Sequence, residues 1–456
     1  MTHFRVALAQ CQDELRARCR IILACALAAL LPQLAMADPI PAGGQAQKME
    51  VVGFTALQGR AGAFKLSIKQ SKGRWYLFAG HQFHRGFSII DVTDPAAPRY
   101  VKFVPSPAEW SDWTTAQVTL HGDVMITALN NWAGWGPKPP PAAPAVLIWD
   151  ISNPENPRQV GQWQGGPVGS HRNSYPGGKY AYLSTSMPGF SKNLLVILDV
   201  SNPAQPHEVS RWWMPGQKQG EPRSRQVEPS FHGPVNVSPD GRMASLGYSP
   251  SVVNLDLSDI TRPRLIGELQ MVPPFPDVGA QSLHTVLPLW DRKLLFASSE
   301  ALKPDCADGL HYAVLIDNAD PAKPRLISMF PTPRPPEGAA YKDFCAKGGR
   351  FGPHNVNQEI HLPDVEKPGN LMYIAYFNAG LRIYDISNPL LPTETAWFLP
   401  PERPGADRGH GYHASDTNWT EDVLVDTRGN IFISDLKWGI WALRYAGAGQ
   451  PVQTAR

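Results

Sequence analysis

Five histidines stand in similar short phrases along the chain. The phrases GSHRN, SFHGPVN, SLHTV, GPHNVNQE and GYHASD contain His171, His232, His284, His354 and His413. Imidazole is the commonest protein ligand of metal ions, and an all-imidazole set suits copper, zinc, iron or nickel. If a repeated fold points these side chains at one axis, three or four of them can bind a single transition-metal ion. We expect copper or another transition metal.

Polar residues directly follow the repeated histidines. A metal-bound imidazole usually donates its second ring nitrogen to a hydrogen-bond acceptor, so such neighbours are candidates to support the site or to contact a substrate. Arg172 would instead hold an anionic substrate, because a guanidinium group pairs well with carboxylate and phosphate groups. The other candidates are Asn173, Asn236, Asn355, Asn357 and Glu359.

The elements that must position these side chains are marked by a phrase that occurs six times, as in DISNPENPRQVGQW. A β-branched apolar run ends at an Asp, a Ser/Asn/Pro turn follows, and a second apolar run begins. Asp and Asn side chains accept bonds from backbone N–H groups just downstream and Pro fixes φ, so the phrase predicts a strand, a turn and a strand. The motif aspartates are Asp91, Asp150, Asp199, Asp256, Asp317 and Asp385.

The spacing of the phrases predicts the architecture. Successive motif aspartates lie 49 to 68 residues apart, and two further strand candidates precede each pair. Four strands per unit is the blade of a β-propeller. The pattern also allows a long sandwich, but about 50 to 60 residues per unit without helical periodicity favours the propeller. We therefore expect an all-β, seven-bladed β-propeller of four-stranded antiparallel blades.

The two ends of the chain predict how the ring closes. The last unit supplies three strands and ends at Tyr445 without the repeated turn. The segment MEVVGFTAL, residues 49–57, resembles the fourth strand of other units and stands before the first blade. A ring sealed by this N-terminal strand has no open sheet edge between its first and last blades. Residues 38–456 would then form one domain with a C-terminal tail at 446–456.

In such a ring the innermost strands line a central channel, and the loops that lead into them share one face. His81 and His84, in GHQFHRG, fall in a loop that opens on the same face and extend the set of candidate ligands. The equivalent positions near Leu66 and Thr115 are not histidines. The alternative role for a repeated histidine is a hydrogen bond that locks one blade to the next, and the sequence leaves both open. We interpret three other histidines as structural or surface residues: His207, His311 and His361.

Residues 1–37 predict export. They contain the basic RARCR, the apolar IILACALAALL and then AMA before Asp38, the order of a cleavable signal peptide. The apolar run is shorter than the roughly 20 residues that span a bilayer, which disfavours a membrane anchor. We expect a periplasmic or secreted protein.

The net charge of +2 gives no indication of nucleic-acid binding, and a closed ring predicts a monomer.

Two cysteines remain after cleavage, Cys306 and Cys345. In an exported protein two cysteines usually pair, so we predict a disulfide between loops of neighbouring blades. A copper ligand or a redox-active thiol is the alternative.

The phrases IIDVTDP, IWDISNP, ILDVSNP, NLDLSDI, LIDNADP and IYDISNP resemble the LVIVD-repeat family of exported bacterial β-propellers, most of which have no assigned activity. More distantly, HGDVMITALNNWAGWG and YDISNPLLPTETAWFL resemble segments of the selenium-binding protein family, which includes copper-dependent methanethiol oxidases. That family has a histidine near the position of Thr115 and paired-histidine and Cys-x-x-Cys signatures, which are absent here. The resemblance implies a propeller with a histidine-lined face.

Two functions follow from these patterns. The first is an exported, metal-dependent, copper-like oxidoreductase that uses the repeated histidines. The alternative is a non-catalytic scaffold whose loop-rich face binds a small molecule, a glycan or a protein. The chain has no Gly-x-Ser-x-Gly elbow, phosphate loop or His-Glu-x-x-His motif, which argues against serine hydrolases, NTPases and zincins.

Overall fold

The repeated turn organises the propeller in the computed structural model. The structure describes residues 37–110, 113–131, 143–223, 225, 227–276, 282–405 and 416–447. In these residues seven antiparallel sheets form the blades of a ring, which confirms the predicted all-β, seven-bladed propeller. No helix in the described part of the chain is long and apolar enough to cross a membrane.

The strands follow the order of the blades. Two N-terminal strands, β1 (Gln45–Gln47) and β2 (Met49–Thr55), join blades 6 and 7. Blade 1 contains β3 (Ala63–Ser71), β4 (Arg74–His81), β5 (Gly86–Asp91) and β6 (Arg99–Pro105). Blade 2 contains β7 (Val118–His121), β8 (Val124–Ala128), β9 (Val146–Asp150) and β10 (Arg158–Trp163). Blade 3 contains β11 (Tyr180–Ser186), β12 (Asn193–Asp199) and β13 (His207–Trp212).

The second half of the ring continues the same pattern. Blade 4 contains β14 (Ser230–Val237), β15 (Met243–Ser249), β16 (Ser251–Asp256) and β17 (Arg264–Gln270). Blade 5 contains β18 (Thr285–Leu289), β19 (Leu294–Ser298), β20 (Ala313–Asp317) and β21 (Arg325–Met329). Blade 6 contains β22 (Leu371–Ala375), β23 (Leu381–Asp385) and β24 (Thr393–Leu399), and blade 7 contains β25 (Thr420–Val425), β26 (Asn430–Asp435) and β27 (Gly439–Tyr445). A short helix, α1 (Phe344–Lys347), lies in the loop before blade 6.

Blades 3 and 6 depart from four regular strands at the channel. Their innermost positions are single bridges, Ser174 to Tyr182 in blade 3 and Val356 to Ile374 in blade 6. The sequence there is rich in polar side chains, as in SHRNS, and these side chains bond across the channel as described below. The irregular backbone therefore coincides with the segments that carry candidate site residues.

Each repeated phrase forms the turn between the third and fourth strands of its blade. In blade 6 the Asp385 carboxylate accepts the N–H of Ser387 at 2.7 Å, and the Asn388 side chain accepts that of Leu390 at 3.1 Å. Equivalent bonds recur at every motif aspartate, from Asp91 onward. The composition of the phrase is thus explained by two successive side-chain-to-backbone turns.

The same turn joins neighbouring blades. Gly161 of β10 touches the backbone at Pro203, in the motif turn of blade 3, so closely that a Cβ atom at this glycine would collide with the Pro203 carbonyl oxygen. Gly53 of β2 meets Pro95 of blade 1 in the same way. The fourth strand of one blade therefore packs on the motif turn of the next.

Blade 7 is completed by the N-terminal strand, as predicted. β2 pairs with β27 from Met49 opposite Tyr445 to Thr55 opposite Ile440. Its register shifts between Val51 and Gly53, and the third and fourth strands of every other blade show a similar shift. The strand ends two residues before the predicted boundary, and β1 adds an outer strand to blade 6 that was not predicted.

A segment of blade 6 crosses the channel on the side where the hairpin turns lie. In this crossing segment, residues 357–368, the His361 side chain meets the carbonyl of Leu120 at 3.2 Å. The Asp364 carboxylate accepts the N–H of Gln70 at 2.8 Å, and Val365 pairs with Asp426. The segment therefore connects blade 6 with blades 1, 2 and 7.

Cys306 and Cys345 form a disulfide with their Cα atoms 5.4 Å apart, as the sequence predicted. Cys306 lies in the loop between β19 and β20, and Cys345 lies in α1. The bond joins a loop of blade 5 to the connection that leads into blade 6.

Removal of the closing strand should destabilise the ring. A chain that starts at residue 58 lacks β2, exposes the edge of β27 and loses Phe54, which packs against Trp438 and Trp441. Loss of one buried phenylalanine alone costs about 3–5 kcal/mol, so melting temperature and solubility should both fall. A chain that starts at residue 48, which lacks only β1, is the matched control. Equal melting temperatures for both truncations and the chain starting at residue 38 would contradict this closure.

The disulfide predicts a simple thiol count. The oxidised, denatured protein starting at residue 38 should show no reactive thiol before reduction and two after it. Reduction should lower the free energy of unfolding by about 2–4 kcal/mol, and a Cys306→Ser, Cys345→Ser variant should match the reduced protein. Two reactive thiols in the oxidised protein would exclude the bond.

Candidate metal centre

Four of the predicted histidines meet in one row at the channel. The ring centroids of His171 and His232 are 4.8 Å apart, those of His232 and His284 are 4.3 Å apart, and those of His284 and His354 are 4.6 Å apart. The four side chains come from blades 3 to 6 and are only 1 to 5% exposed. We refer to His171, His232, His284 and His354 as the histidine row.

The row exists because each member occupies the same place in its blade. The backbone N–H of His171 bonds to the Ser184 carbonyl at 2.8 Å, that of His284 to the Ser298 carbonyl at 2.7 Å, and that of His354 to Ala375 at 2.9 Å. In each case the partner lies at or near the end of the blade's second strand. The repeated ladder therefore brings the imidazoles together at the loop face, the end of the ring where the innermost segments begin.

A carboxylate that was not predicted joins the row. Glu300 follows β19 in the loop between the second and third strands of blade 5. Its oxygens lie 3.4 Å from His284 Nε2 and 3.6 Å from His354 Nε2. Ligand atoms of His232, His284 and Glu300 all lie within 4.8 Å of one another. Ligands at about 2.1 Å from an ion are roughly 3.4 Å apart in a tetrahedral site, so only small movements would be needed.

The ring nitrogens of the histidine row differ in whether they have a hydrogen-bond partner. The Nδ1 atom of His284 pairs with the Thr285 hydroxyl at 2.7 Å, and the Nδ1 atom of His354 donates to the Glu421 carbonyl at 2.7 Å. His232 Nε2 is buried and has no hydrogen-bond partner in the described residues. An unpaired buried nitrogen costs on the order of 1–3 kcal/mol. The anchored Nδ1 atoms leave the Nε2 atoms facing Glu300, the arrangement that metal-binding histidines usually show.

Burial sets the charge state of the row. It lowers the pKa of His171 to about 3 and holds the pKa values of His232, His284 and His354 well below 6.5. The imidazoles are therefore neutral, the form that binds metals. Burial also raises the pKa of the Glu300 carboxyl, while the Arg350 guanidinium opposes that rise.

Arg172 crosses the channel from blade 3. Its guanidinium donates to the carbonyls of Gly233 and His284, both at 2.8 Å. It also donates to the Asn355 side chain at 2.9 Å and to the Gln358 side chain at 2.6 Å. Burial lowers the pKa of Arg172 to about 10. The sequence predicted an anionic substrate for Arg172, whereas in the structure its bonds hold blades 3 to 6 together.

The asparagines predicted to support the imidazoles bond mainly to backbone. The amide of Asn236 donates to the Val286 carbonyl at 2.8 Å, and that of Asn355 donates to the Glu421 carbonyl at 3.0 Å. Asn357 accepts the Val425 N–H at 3.0 Å, and Asn173 donates to the Ser170 hydroxyl at 2.8 Å. Asn236, Asn355 and Asn357 therefore each hydrogen-bond to the backbone of the next blade.

Glu359 forms a separate buried ion cluster. Its carboxylate lies 3.3 Å from the ammonium group of Lys65, which is also 3.2 Å from the carboxylate of Asp422. The cluster joins blades 6, 1 and 7, so Glu359 neutralises a buried lysine.

The remaining candidate histidines lie elsewhere. His81 bonds to the Ala61 carbonyl at 3.1 Å and to the Ser88 hydroxyl at 2.9 Å, and its ring lies 5.9 Å from that of the exposed His84. This pair belongs to blade 1 and does not form part of the row. His413 lies outside the described residues. Among the histidines interpreted as structural or surface residues, His207 is exposed, His311 bonds to Ser299 and His361 bonds to Leu120.

Arg350 and Glu421 were also not predicted from the sequence. Arg350 forms an ion pair with Glu300 and lies over the rings of Phe377 and Trp419, 4.1 Å and 5.2 Å from their centroids. The Trp419 indole donates to Glu421 at 2.5 Å, and burial raises the pKa of Glu421 well above its usual range. An acidic residue beside one end of an apolar strand, just after β19 in FASSE and at the start of β25 in TED, is the signal that could have indicated both carboxylates.

The disulfide lies beside this ion pair. Arg350 Nε donates to the Ala301 carbonyl at 2.6 Å. The Gly349 N–H donates to the Asp305 carboxylate at 3.0 Å, and the Asp305 N–H donates to the Gly349 carbonyl at 2.8 Å. The loops that carry Glu300 and Arg350 are thus tied by backbone bonds and by the disulfide.

The comparisons with known proteins agree with this fold. A family model described as LVIVD repeat matches residues 177–212 and 363–398. The Cps50 (Swd1) β-propeller domain of Myceliophteria thermophila superposes with a TM-score of 0.51 at 10% identity, covering 84% of this chain and 96% of that one. A periplasmic gluconolactonase of Pseudomonas aeruginosa gives 0.50 at 12% identity, covering 82% and 99%.

A hypothetical selenium-binding protein from Sulfolobus tokodaii gives a TM-score of 0.48 at 13% identity, covering 77% of this chain and 79% of that one. A search of the curated proteins found no significant match. At these identities the two structures with TM-scores of 0.51 and 0.50 indicate the fold alone. The chain therefore contains LVIVD repeats and folds as a seven-bladed β-propeller.

Proposed function

We propose that this protein binds a transition-metal ion at His232, His284 and Glu300 and acts as a metal-dependent oxidoreductase. The convergence of these three side chains at one buried point, with an unpaired nitrogen on His232, carries the proposal. His354 and His171 flank the site and are further ligand candidates. The neutral imidazoles and the carboxylate need no proton loss from the histidines before a cation binds.

The presence of the Glu300 carboxylate among the ligands changes which metal we expect. An all-imidazole set favoured copper, but two imidazoles with one carboxylate are typical of non-haem iron and also occur in zinc enzymes. Oxidoreductase chemistry needs a metal with two accessible oxidation states, so iron is the first expectation and copper the second. A zinc site would instead favour hydrolysis.

The rest of the proposal concerns the location, oligomeric state and substrate of the protein. We propose cleavage after Ala37, export to the periplasm or the medium, and a monomer that meets a small-molecule substrate at the loop face. The signal-like residues 1–37 and the closed ring support these points.

Metal analysis of exported protein tests the site. The wild type should contain about one ion per chain after supply of iron, copper and zinc, because three ligands converge on one point. Glu300→Gln keeps the shape of the side chain but removes its charge, and His232→Gln removes one imidazole, so each should abolish stoichiometric binding. His207→Gln, at an exposed position, is the matched control and should retain the metal.

Three results would contradict the proposed function. Full metal content in a His232→Gln, Glu300→Gln double variant would exclude this site, and no metal in the supplemented wild type would favour the binding scaffold. Zinc as the bound metal would retain the site but refute redox chemistry at the metal.

Arg350 should act as a positioning residue for Glu300. Arg350→Met removes the cation that pairs with the carboxylate and the donor to Ala301, so metal affinity should fall about 10- to 100-fold, the usual effect of losing a partner of a ligand. Arg350→Lys should recover part of the affinity. The measurement is metal titration below the unfolding temperature, with thermal unfolding recorded in parallel. A lower melting temperature with unchanged affinity would mean that Arg350 only stabilises the fold.

A further inference from the structure

A second site lies at the opposite end of the channel. A cavity of about 920 Å³ opens among the hairpin turns of blades 3, 4 and 5 and the crossing segment of blade 6. β14 connects the two ends, since His232 lies near its start and Val237, at its end, lines the cavity. Val235 is the first residue of β14 in the wall, and three residues of strand span roughly 10 Å. No member of the histidine row lines the cavity, nor does Glu300. The cavity is thus separate from the metal centre, and its volume lies at the upper end of the range for small-molecule sites, roughly 300–1,000 Å³.

Aromatic and proline side chains form much of its wall. Tyr180 and Tyr182 are two residues apart on β11 and therefore lie on the same face of that strand. Trp290 lines the cavity from the turn after β18, and Pro176 and Pro288 add apolar surface. Tyr and Trp rings combine a broad apolar face with a hydroxyl or N–H group. Such a wall suits a ligand with one apolar face and several hydrogen-bonding groups.

One buried polar group is left for a ligand. Asn236 lines the cavity and is only 7% exposed. Its amide nitrogen donates to the Val286 carbonyl, which fixes the side chain, while its Oδ1 accepts no hydrogen bond from the described residues. Asn236 Oδ1 therefore offers an oriented acceptor to a hydroxyl donor.

The cations of the cavity are already engaged. Lys367 donates to the carbonyls of Ile360 and Leu362, both in the crossing segment. Arg292 donates to the Ile386 carbonyl at 2.6 Å and to the Gly369 carbonyl at 3.3 Å. The exposed Asp291 carboxylate also lines the cavity, so the wall carries charges of both signs. A ligand of either charge would meet a like charge as well as an opposite one, whereas an uncharged ligand meets no such repulsion.

We propose that this cavity binds a neutral sugar, with room for a disaccharide. The hydroxyl groups would donate to Asn236 Oδ1 and exchange hydrogen bonds with the Tyr180, Tyr182 and Trp290 polar atoms. The C–H face of a sugar ring would lie against the aromatic and proline wall. The proposal is independent of the metal centre, because the cavity shares no candidate ligand with it.

Calorimetric titration with four neutral disaccharides, maltose, cellobiose, lactose and N,N′-diacetylchitobiose, tests the proposal on the chain starting at residue 38 in the presence of EDTA. At least one should bind saturably below about 10 mM. Tyr180→Ala and Trp290→Ala should each weaken that binding about tenfold or more. Trp163→Ala, on the outer strand of blade 2, is the matched aromatic control and should leave it unchanged. Cellobionate should bind at least about tenfold more weakly than cellobiose.

Several results would overturn the proposal. These are no saturable binding of any of the four sugars by wild-type protein with a normal melting temperature, binding that both cavity variants leave unchanged, or equal binding of cellobionate. Saturable binding of indole without any sugar would assign the cavity to neutral aromatic compounds instead. Because EDTA is present throughout, loss of the metal centre cannot produce any of these outcomes.

Discussion

The contact between one blade's fourth strand and the next blade's motif turn is the constraint on which the ring depends. At Gly53 and Gly161 the turn approaches so closely that no side chain fits. The Asp and Asn bonds that shape the turn therefore also shape the surface that the preceding blade must match. This explains why the N-terminal strand carries the same glycine and register shift as its counterparts, although it lies about 390 residues from its partner β27.

Around the channel the blades are joined by polar side chains. The row histidines take part in this joining and also carry the candidate site. His354 uses Nδ1 to bond to Glu421 in blade 7 and leaves Nε2 beside Glu300. One imidazole can both hydrogen-bond to the next blade and bind a metal ion, because its two nitrogens point in different directions. For His354, the two roles that the sequence left as alternatives are therefore compatible.

Features that repeat along the chain could be predicted from the sequence, whereas features that occur once could not. The motif turn recurs and its chemistry is local, so the blade count, the closing strand and the alignment of four histidines followed from it. Glu300 and Arg350 each occur once and meet only through the packing of two loops, for which no local rule exists. The interpretation of Arg172 depended on its partners across the channel, which are backbone carbonyls of blades 4 and 5 and side-chain amides of blade 6.

The polar channel also separates the two proposed sites. Arg172 reaches from the histidine row to Gln358, and the crossing segment then continues through His361, which lines the cavity at the other end. The Lys65, Asp422 and Glu359 cluster fills the side of the channel toward blades 1 and 7. Buried charges of this kind are stable only when each retains its partners. The same bonds that hold the blades in a ring therefore keep the metal end and the cavity end apart, so that each is shaped by its own set of loops or turns.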